Sequence, residues 1–139
     1  MARQPTILEP VCTRGTPETQ GDTPVNTAHF DDVAWPEAEP IADERVVSGS
    51  PQANTVVLYK DEHSELGLWQ ISPGEFTTVH QGYVESVTIA SGRGRLVHDD
   101  GTVIELGPGS VAVLEEGWAG RWVVEETIVK SYAVITVGA

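Results

Sequence analysis

The sequence predicts an all-β protein that folds as a sandwich or a barrel. From residue 46 onward, short runs of alternating apolar and polar residues follow one another, and each run is closed by a turn signal. No run has the 3.6-residue apolar period of an amphipathic helix. The turns are explicit at Ser72-Pro73-Gly74, Asp99-Asp100-Gly101 and Gly107-Pro108-Gly109. So many short strands favour a closed or double-layered arrangement, which leaves few open edges.

The alternating runs define nine predicted strands in this region. Each begins where the alternation starts and stops at the next glycine, proline or charged pair. The predicted strands are Thr55–Tyr59, Leu66–Ser72, Phe76–His80, Glu85–Ser91, Gly94–His98, Val103–Leu106, Val111–Leu114, Arg121–Val124 and Ile128–Val137.

Residues 1–45 differ in character and are predicted to form an extended arm ahead of a single domain at 46–139. They hold six of the nine prolines, and nine acidic residues against three basic ones. Short apolar patches such as Ile7-Leu8 and Trp35 suggest that the arm is pinned to the domain or to a neighbouring subunit. Disorder is the other interpretation, and the composition does not choose between them.

Composition excludes several classes of partner. The chain has 139 residues, a net charge of −13 and a pI near 4.4, so its field repels phosphate backbones and anionic lipids. We therefore expect neither nucleic acid nor a membrane as partner. The single cysteine, Cys12, cannot form an intrachain disulfide, and no apolar stretch is long enough for a signal peptide or a membrane span. A cytoplasmic location is predicted.

The segment from Gly74 to Gly92 carries the most informative chemistry. Glu85 shares parity with Val87 and Ile89 on a predicted strand, and His80 lies five residues earlier. Because side chains alternate between the faces of a strand, the face that buries the two aliphatic residues also carries the carboxylate inward. A buried carboxylate needs an ion pair, hydrogen bonds or a metal. The sequence therefore predicts a functional or structural partner for Glu85.

Beyond this segment, a series of short motifs follows in a fixed order along the chain. They are Val47-Ser48-Gly49-Ser50-Pro51, Leu68-Trp69, Pro73-Gly74-Glu75-Phe76, Ser91-Gly92-Arg93-Gly94, Gly117-Trp118, Gly120, Trp122, and the Lys130 and Tyr132 pair. Their order resembles the cupin superfamily, and the best match is its small single-domain group, often called cupin_3, which includes ureidoglycine aminohydrolase-like and EutQ-like members. The resemblance covers about residues 46–136 and implies a double-stranded β-helix, a jelly-roll barrel with a pocket between its sheets.

Metal-binding cupins have two histidines and a glutamate in a first motif and a further histidine in a second. In the first motif of this chain, His80 and Glu85 are present, but Gly82 stands at the place of the second histidine. In the second motif a glycine, Gly120, stands at the place of the third. Since a stable site needs three or four protein ligands, the sequence predicts no resident metal. The alternative is a divalent ion such as Mn, Fe, Ni or Zn on His80 and Glu85.

Lys130 is the leading candidate to pair with Glu85, with Tyr132 as a second possibility. Lys130 lies in a row with Ile128, Tyr132 and Val134 on the last predicted strand, and the resemblance implies a lysine at this place. A buried Lys–Glu pair would compensate two charges at once. A static ion pair that sets the sheet register is favoured over a proton-transfer couple. Structural ion pairs perturb pKa values just as active sites do, so a shifted pKa does not by itself indicate catalysis.

Aromatic residues lie in or beside the strands that would line such a pocket. Core packing is the simpler role for Trp69 and Phe76, whereas Trp118, in a Gly-Trp-Ala-Gly loop, suits a pocket mouth, a dimer contact or the core. The predicted site places His80, Glu85, Lys130 and Tyr83 as catalytic groups. Trp118, Trp122, Tyr132 and Arg121 are predicted to bind the ligand, with only one of Arg121 and Trp122 facing inward.

Three functions are compatible with these residues. The first is a metal-independent cupin that binds a small polar organic metabolite, as an enzyme using acid/base chemistry or as a binding protein. The second is a metal-dependent, aminohydrolase-like enzyme with His80 and Glu85 as ligands. In the third, the domain is a non-catalytic sensor or assembly module. A homodimer is predicted in each case, because the arm offers a strand for exchange.

Overall fold

The computed structural model describes residues 23–137, which are built almost entirely of β-strands. The only helical turn in this range is a 3₁₀ turn at Asp43–Arg45, and no helix within it is long and apolar enough to cross a membrane. The all-β prediction is thus confirmed. The strands are Glu39–Pro40 (β1), Val46–Gly49 (β2), Gln52–Lys60 (β3), Ser64–Ile71 (β4), Gly74–Val79 (β5), Tyr83–His98 (β6), Val103–Leu106 (β7), Val111–Leu114 (β8) and Ala119–Thr136 (β9).

Two long antiparallel strands, β6 and β9, are the central pair of the fold. They pair from Tyr83 with Thr136 to His98 with Gly120, and their register shifts between Ile89 and Gly94. At this irregularity the sheet bends over on itself. The two halves of each long strand therefore lie in different layers and collect different neighbours.

One layer has the order β1-β3-β4-β9-β6-β8 and uses the C-terminal half of β9 with the N-terminal half of β6. The other has the order β2-β5-β9-β6-β7 and uses the remaining halves. This is the curled double-stranded β-helix that the resemblance implied. Its core lies between the layers and consists of Ile71, Phe76, Val87, Ile89, Leu96, Leu106, Leu114, Trp122, Val124, Ile128 and Tyr132.

The predicted strand boundaries were wrong at the bend. Glu85–Ser91 and Gly94–His98 belong to one continuous β6, and Arg121–Val124 and Ile128–Val137 to one continuous β9. Gly92 was taken as the end of a strand, but its φ of +91° lets β6 turn sharply without ending. A β-carbon there would lie 2.0 Å from the carbonyl oxygen of Thr127 on β9. Glycine is needed because the two strands cross in close contact.

The described part of the arm is attached to the barrel. β1 pairs with β3, and the Asn54 side-chain amide donates a hydrogen bond of 2.6 Å to the Pro36 carbonyl oxygen. Ile41 packs against the core. These contacts favour the pinned arrangement over disorder for this part of the arm. Cys12 and the Ile7-Leu8 patch lie outside the described residues, and the boundary at residue 46 stays a prediction.

We expect Gly92→Ala to destabilise the fold more than Gly101→Ala does. Both glycines have a positive φ, but a β-carbon at Gly101 would meet no atom within 4 Å. Alanine at 101 should therefore cost only its backbone strain, about 1 to 2 kcal/mol. At 92 the added methyl group must also push β9 away, which should cost roughly 1 to 3 kcal/mol more. Urea unfolding followed by tryptophan fluorescence measures the difference. Equal losses would show that the crossing at Gly92 is loose.

Candidate functional site

A cavity of about 290 Å³ lies between the two layers at one end of the barrel. This volume is at the small end of the range for ligand sites, roughly 300 to 1,000 Å³. Its walls combine aromatic rings with a few charged and hydroxyl groups. The lining residues are Ile41, Arg45, Thr55, Glu65, Trp69, Phe76, Thr78, His80, Tyr83, Glu85, Trp122, Lys130, Tyr132 and Val134.

Glu85 holds the centre of the polar network on this wall. Its Oε1 lies 2.8 Å from Nε2 of His80, and its Oε2 accepts a hydrogen bond of 2.8 Å from Nζ of Lys130. All three side chains are buried, with 2% of His80, 9% of Glu85 and 4% of Lys130 exposed. The predicted pairing of Lys130 with Glu85 is thereby confirmed, and His80 is a second partner of the same carboxylate.

The sheet register explains how these residues meet. Glu85 on β6 and Lys130 on β9 both face inward, and their two strands are paired. In the register, Glu85 lies opposite Val134, and Lys130 lies opposite Ile89. Lys130 therefore reaches along the sheet toward Glu85. His80 comes from the other direction, just after β5, where its backbone exchanges hydrogen bonds with the Gly117-Trp118 turn. The network thus joins a loop to the two central strands.

Two indole rings enclose the ammonium group of Lys130. Its Nζ lies 4.3 Å from the ring centroid of Trp69 and 4.7 Å from that of Trp122. The electron-rich faces of the rings favour the charged form of the lysine. Trp69 is thus part of the site as well as of the core, and sequence reasoning had given it only the second role.

Burial and pairing act in opposite directions on the titration of the pair. Burial by itself would raise the pKa of Glu85, but the His80 hydrogen bond and the Lys130 charge outweigh it, so the pKa lies below its ordinary value. Burial lowers the pKa of Lys130, and the Glu85 carboxylate opposes that shift. Glu85 is therefore ionised at neutral pH and acts as a fixed acceptor.

His80 and Tyr83 each carry a polar atom that has no hydrogen-bond partner among the described residues. Because a carboxylate can only accept, Nε2 of His80 carries the proton in its hydrogen bond to Glu85. Its Nδ1 is buried and has no hydrogen-bond partner within residues 23–137. The Tyr83 ring lies 4.7 Å from the His80 ring, and no described residue hydrogen-bonds its hydroxyl. Burial and the Glu85 charge raise the pKa of Tyr83, against an opposing effect of Arg45, so the phenol stays a proton donor.

Tyr132 does not pair with Glu85, the second possibility that the sequence left open. Its hydroxyl donates a hydrogen bond of 2.7 Å to Oε2 of Glu65 on the neighbouring strand β4. Gly67 lies opposite Tyr132 in the register, and its lack of a side chain leaves room for the phenol, whose oxygen would lie 3.1 Å from a β-carbon there. Burial and Glu65 together raise the pKa of Tyr132 well above its ordinary value.

Six of the eight predicted site residues line the cavity, and two do not. His80, Glu85, Lys130, Tyr83, Trp122 and Tyr132 are on its wall. Arg121 points away and pairs with Glu75, because it has the opposite parity to the buried Trp122. Trp118 is not a lining residue either: it packs edge-on against His80, with ring centroids 5.7 Å apart, and so supports the histidine from outside the cavity.

Sequence reasoning missed several lining residues, of which four are polar: Arg45, Thr55, Glu65 and Thr78. Parity could have found two of them, since Thr55 lies opposite Trp69 and Glu65 shares the parity of Trp69 on β4. No pattern could have found Arg45, because it precedes β2 at the end of the 3₁₀ turn and reaches the cavity through tertiary folding.

The residues present do not fit a first-row metal. Among the described residues no three His, Cys, Asp or Glu side chains cluster in a way that could hold a metal ion. His80 turns its Nε2 to Glu85, and the Lys130 ammonium occupies the other carboxylate oxygen. A divalent cation at Glu85 would have to displace the Lys130 ammonium, which would then be buried without a partner at a large cost in free energy. No step of a mechanism is therefore assigned to a metal.

A two-layered β-helix with a polar network in its barrel defines the class of cupin-like proteins. The sequence profile of the EutQ-like cupin domain family, Cupin_3, matches residues 58–132, which is more than half of the chain. The chain therefore belongs to this family. No curated protein matches it.

Solved structures with little sequence identity share this fold. A protein of unknown function from Pseudomonas syringae, assigned to the DUF861 family, has a TM-score of 0.66 at 21% identity, over 73% of this chain and 44% of its own. The chain thus spans less than half the length of that relative. EutQ from Clostridium difficile has a TM-score of 0.55 at 15% identity, over 62% of this chain and 69% of its own. Ectoine synthase from P. lautus has a TM-score of 0.55 at 17% identity, over 70% of this chain and 69% of its own. Such neighbours show the fold, and they include an enzyme, so they do not define one activity for this chain.

We expect Glu85→Gln and Lys130→Met each to cost about 3 to 5 kcal/mol of unfolding free energy, since each leaves a buried charge without its partner. The double variant should lose less than the sum of the two, by roughly 0.5 to 3 kcal/mol, because neither charge then remains. Urea unfolding of the four proteins measures this coupling. The exposed pair Arg95 and Glu125 is the matched control, and its coupling should stay below about 1 kcal/mol. Additive losses at Glu85 and Lys130 would contradict the pairing.

All three tyrosines of the chain should ionise above the ordinary pKa of a phenol in the folded protein. The pKa values of Tyr59, Tyr83 and Tyr132 are all raised, by the Asp61 hydrogen bond for Tyr59 and chiefly by burial for the other two. Because the folded-state values lie above the unfolded ones, this contribution to stability is complete below the unfolded pKa and is lost as the pH rises. An ultraviolet pH titration measures it, with the urea-unfolded chain as reference. A phenol that titrates at its unfolded value in the native protein would contradict the Asp61 hydrogen bond in the case of Tyr59, and the burial in the case of Tyr83 or Tyr132.

Proposed function

We propose that the protein binds a small polar organic metabolite in the barrel cavity and performs acid/base chemistry on it without a resident metal. The observation that carries this proposal is the Glu85 carboxylate, held between His80 and Lys130 at 2.8 Å from each on the cavity wall. A buried carboxylate in two charge-assisted contacts is a preorganised acceptor, which can orient a histidine and stabilise its charged form.

In this proposal His80 is the proton-accepting group. Its Nε2–H is donated to Glu85, so the lone pair of the neutral ring is on Nδ1, which no described residue satisfies. A ligand within reach of Nδ1, directly or through one water, could transfer a proton to it. The Glu85 carboxylate would then stabilise the imidazolium, as the buried acid of a hydrolase triad does.

Tyr83 is the complementary donor. Tyr83 lines the cavity with its ring next to that of His80, and its raised pKa keeps the phenol protonated at neutral pH. A phenol in that state can donate a hydrogen bond to a carbonyl or hydroxyl oxygen on which negative charge develops. An acceptor and a donor side by side suit isomerisation, elimination or hydrolysis.

Lys130 has a positioning role in this scheme. Its ammonium is enclosed by Trp69 and Trp122 and hydrogen-bonded to Glu85, so it is committed to protein groups. The lysine holds the carboxylate in place and compensates its charge. The same geometry would serve a domain that binds without catalysis, and the test below is designed to separate the two.

The proposal includes a cytoplasmic homodimer. A chain with one cysteine suits a reducing compartment. The outer face of the β4-β9-β6-β8 layer offers a contact surface, since Leu66, Ala133, Ser86 and Val113 lie in one row across it. Val111 and Val113 are 67% and 60% exposed. Two copies could cover these residues about a twofold axis, and sedimentation at a monomer mass would exclude the pairing.

The test combines binding with proton exchange. Metabolites of cavity size are screened by thermal shift, and a ligand present at about 100 times its Kd should raise the unfolding free energy by about 2.7 kcal/mol. Each ligand that binds is then incubated with the protein in D₂O and followed by NMR for deuterium incorporation or conversion. We expect His80→Gln to bind within a few-fold of wild type and to exchange roughly 100-fold more slowly, since general-base catalysis contributes about that much or more.

Controls separate the outcomes. Tyr83→Phe removes only the hydroxyl and should slow exchange while it leaves the cavity filled. Exchange that survives dialysis against EDTA supports the metal-independent chemistry, and exchange restored only by added Mn, Fe, Ni or Zn contradicts it. Binding without any exchange would overturn the acid/base role and leave a sensor or binding module.

A further inference from the structure

Arg45 is held rigidly at the edge of the cavity. It ends the 3₁₀ turn at Asp43–Arg45, and its Nε donates a hydrogen bond of 2.9 Å to the carbonyl oxygen of Thr77 on β5. Its guanidinium carbon lies 5.5 Å from the centroid of the Phe76 ring. A hydrogen bond at Nε and a ring under the group leave few rotamers open, so the guanidinium is positioned in advance of any ligand.

Arg45 differs from the other arginines of the described chain in lacking a carboxylate partner. Arg93 and Arg95 pair with Glu125 or Glu126, and Arg121 pairs with Glu75. No carboxylate between residues 23 and 137 lies within ion-pair distance of Arg45, although the chain carries 21 acidic residues and a net charge of −13. Its four terminal N–H groups therefore have no partner among the described residues.

Other polar residues lie beside Arg45 on the wall of the cavity. Arg45 lines the cavity together with Tyr83 and Thr78, and the Tyr83 hydroxyl likewise has no partner in the described chain. The cavity wall has two acidic residues: Glu85 is engaged by His80 and Lys130, and Glu65 accepts the Tyr132 hydroxyl hydrogen bond and lies 3.6 Å from Lys60. One side of the cavity thus presents hydrogen-bond donors and a positive charge.

We propose that Arg45 is the specificity-determining residue of the cavity and that the ligand carries a carboxylate, which Arg45 binds through its terminal N–H groups. This rests on the function proposed above and names its ligand class. A planar guanidinium with two parallel N–H groups matches a carboxylate bidentately, and such contacts are the strong ones among hydrogen bonds. With the carboxylate anchored at Arg45, the rest of the ligand would extend toward Tyr83 and His80.

Because the net charge of the protein is negative, the binding of an anionic ligand would depend on Arg45. An acidic protein repels anions at long range, so a carboxylate gains nothing from the general field of the molecule. Selection for an anionic ligand must come from a local group inside the cavity. Lys130 cannot supply it, because its ammonium is committed to Glu85 and to two indole rings.

The same contacts allow a second role, in which Arg45 holds the 3₁₀ turn against β5. That role predicts a loss of stability on substitution, without any change in which ligands bind. The two roles are separated by comparing carboxylates with neutral isosteres, because a carboxylate and its primary amide have nearly the same shape and differ in charge.

The experiment measures Kd by NMR titration for propionate and propionamide, lactate and lactamide, and hexanoate and hexanamide. The proteins are wild type, Arg45→Met, which keeps much of the aliphatic stem, and Arg93→Met as a matched control on an exposed ion pair. In wild type the best carboxylate should bind at least about tenfold more tightly than its amide, the effect of one charge-assisted contact. Arg45→Met should abolish that preference and leave amide binding unchanged, whereas Arg93→Met should keep it.

Each other result has a distinct meaning. Amides and carboxylates that bind equally to wild type, or a preference that survives in Arg45→Met, would overturn the role of Arg45 and leave the cavity as a ligand site. If none of the six compounds binds to wild type, the carboxylate class is wrong. In that case, ligands from the metabolite screen that exchange deuterium with wild type, and roughly 100-fold more slowly with His80→Gln, would show that the proposed function stands by itself.

Discussion

The antiparallel pairing of β6 with β9 determines where every other strand and most site residues lie. Each long strand contributes one half to each layer, so the bend between Ile89 and Gly94 sets the angle and spacing of the whole barrel. At the crossing, Gly92 on β6 approaches the Thr127 carbonyl on β9 so closely that any side chain would clash. The same pairing brings Lys130 beside Ile89, with Glu85 further along the strand. A change in this register would move the lysine away from the carboxylate.

Charge burial follows from that geometry. Side chains alternate in a strand, so the row that buries Val87 and Ile89 also takes Glu85 into the barrel, and the row of Ile128 and Tyr132 takes Lys130 with it. Either charge by itself would be costly in a low-dielectric interior, and the two compensate one another with His80 as a third member. Replacing such a network by apolar residues often stabilises a protein, so its presence here suits a role beyond stability.

The family assignment gives information about the fold, and the residues of the site give information about the chemistry. Membership in the EutQ-like cupin domain family agrees with the barrel fold, and the structure gives the position of the cavity. The solved structures of similar fold include an enzyme and proteins of other or unknown roles, and their identities to this chain stay at or below 21%. The chemistry of the site comes from the residues of this chain's own cavity wall. A lysine ammonium lies next to Glu85, where a metal would have to bind, and Arg45, which has no acidic partner between residues 23 and 137, lies at the edge of the cavity.

The sequence by itself determined the all-β class and the inward direction of Glu85, and it made Lys130 the leading candidate for its partner. These follow from local rules, because alternation assigns each side chain to a face and a buried charge requires a partner. Only the tertiary structure decided that Gly92 bends a strand without ending it, since a glycine signals a turn and a bend alike. It also decided that Tyr132 pairs with Glu65, that Trp118 supports His80 from behind, and that Arg45 reaches the cavity. Those contacts join residues far apart in the chain across two layers, and no local pattern records which strands become neighbours.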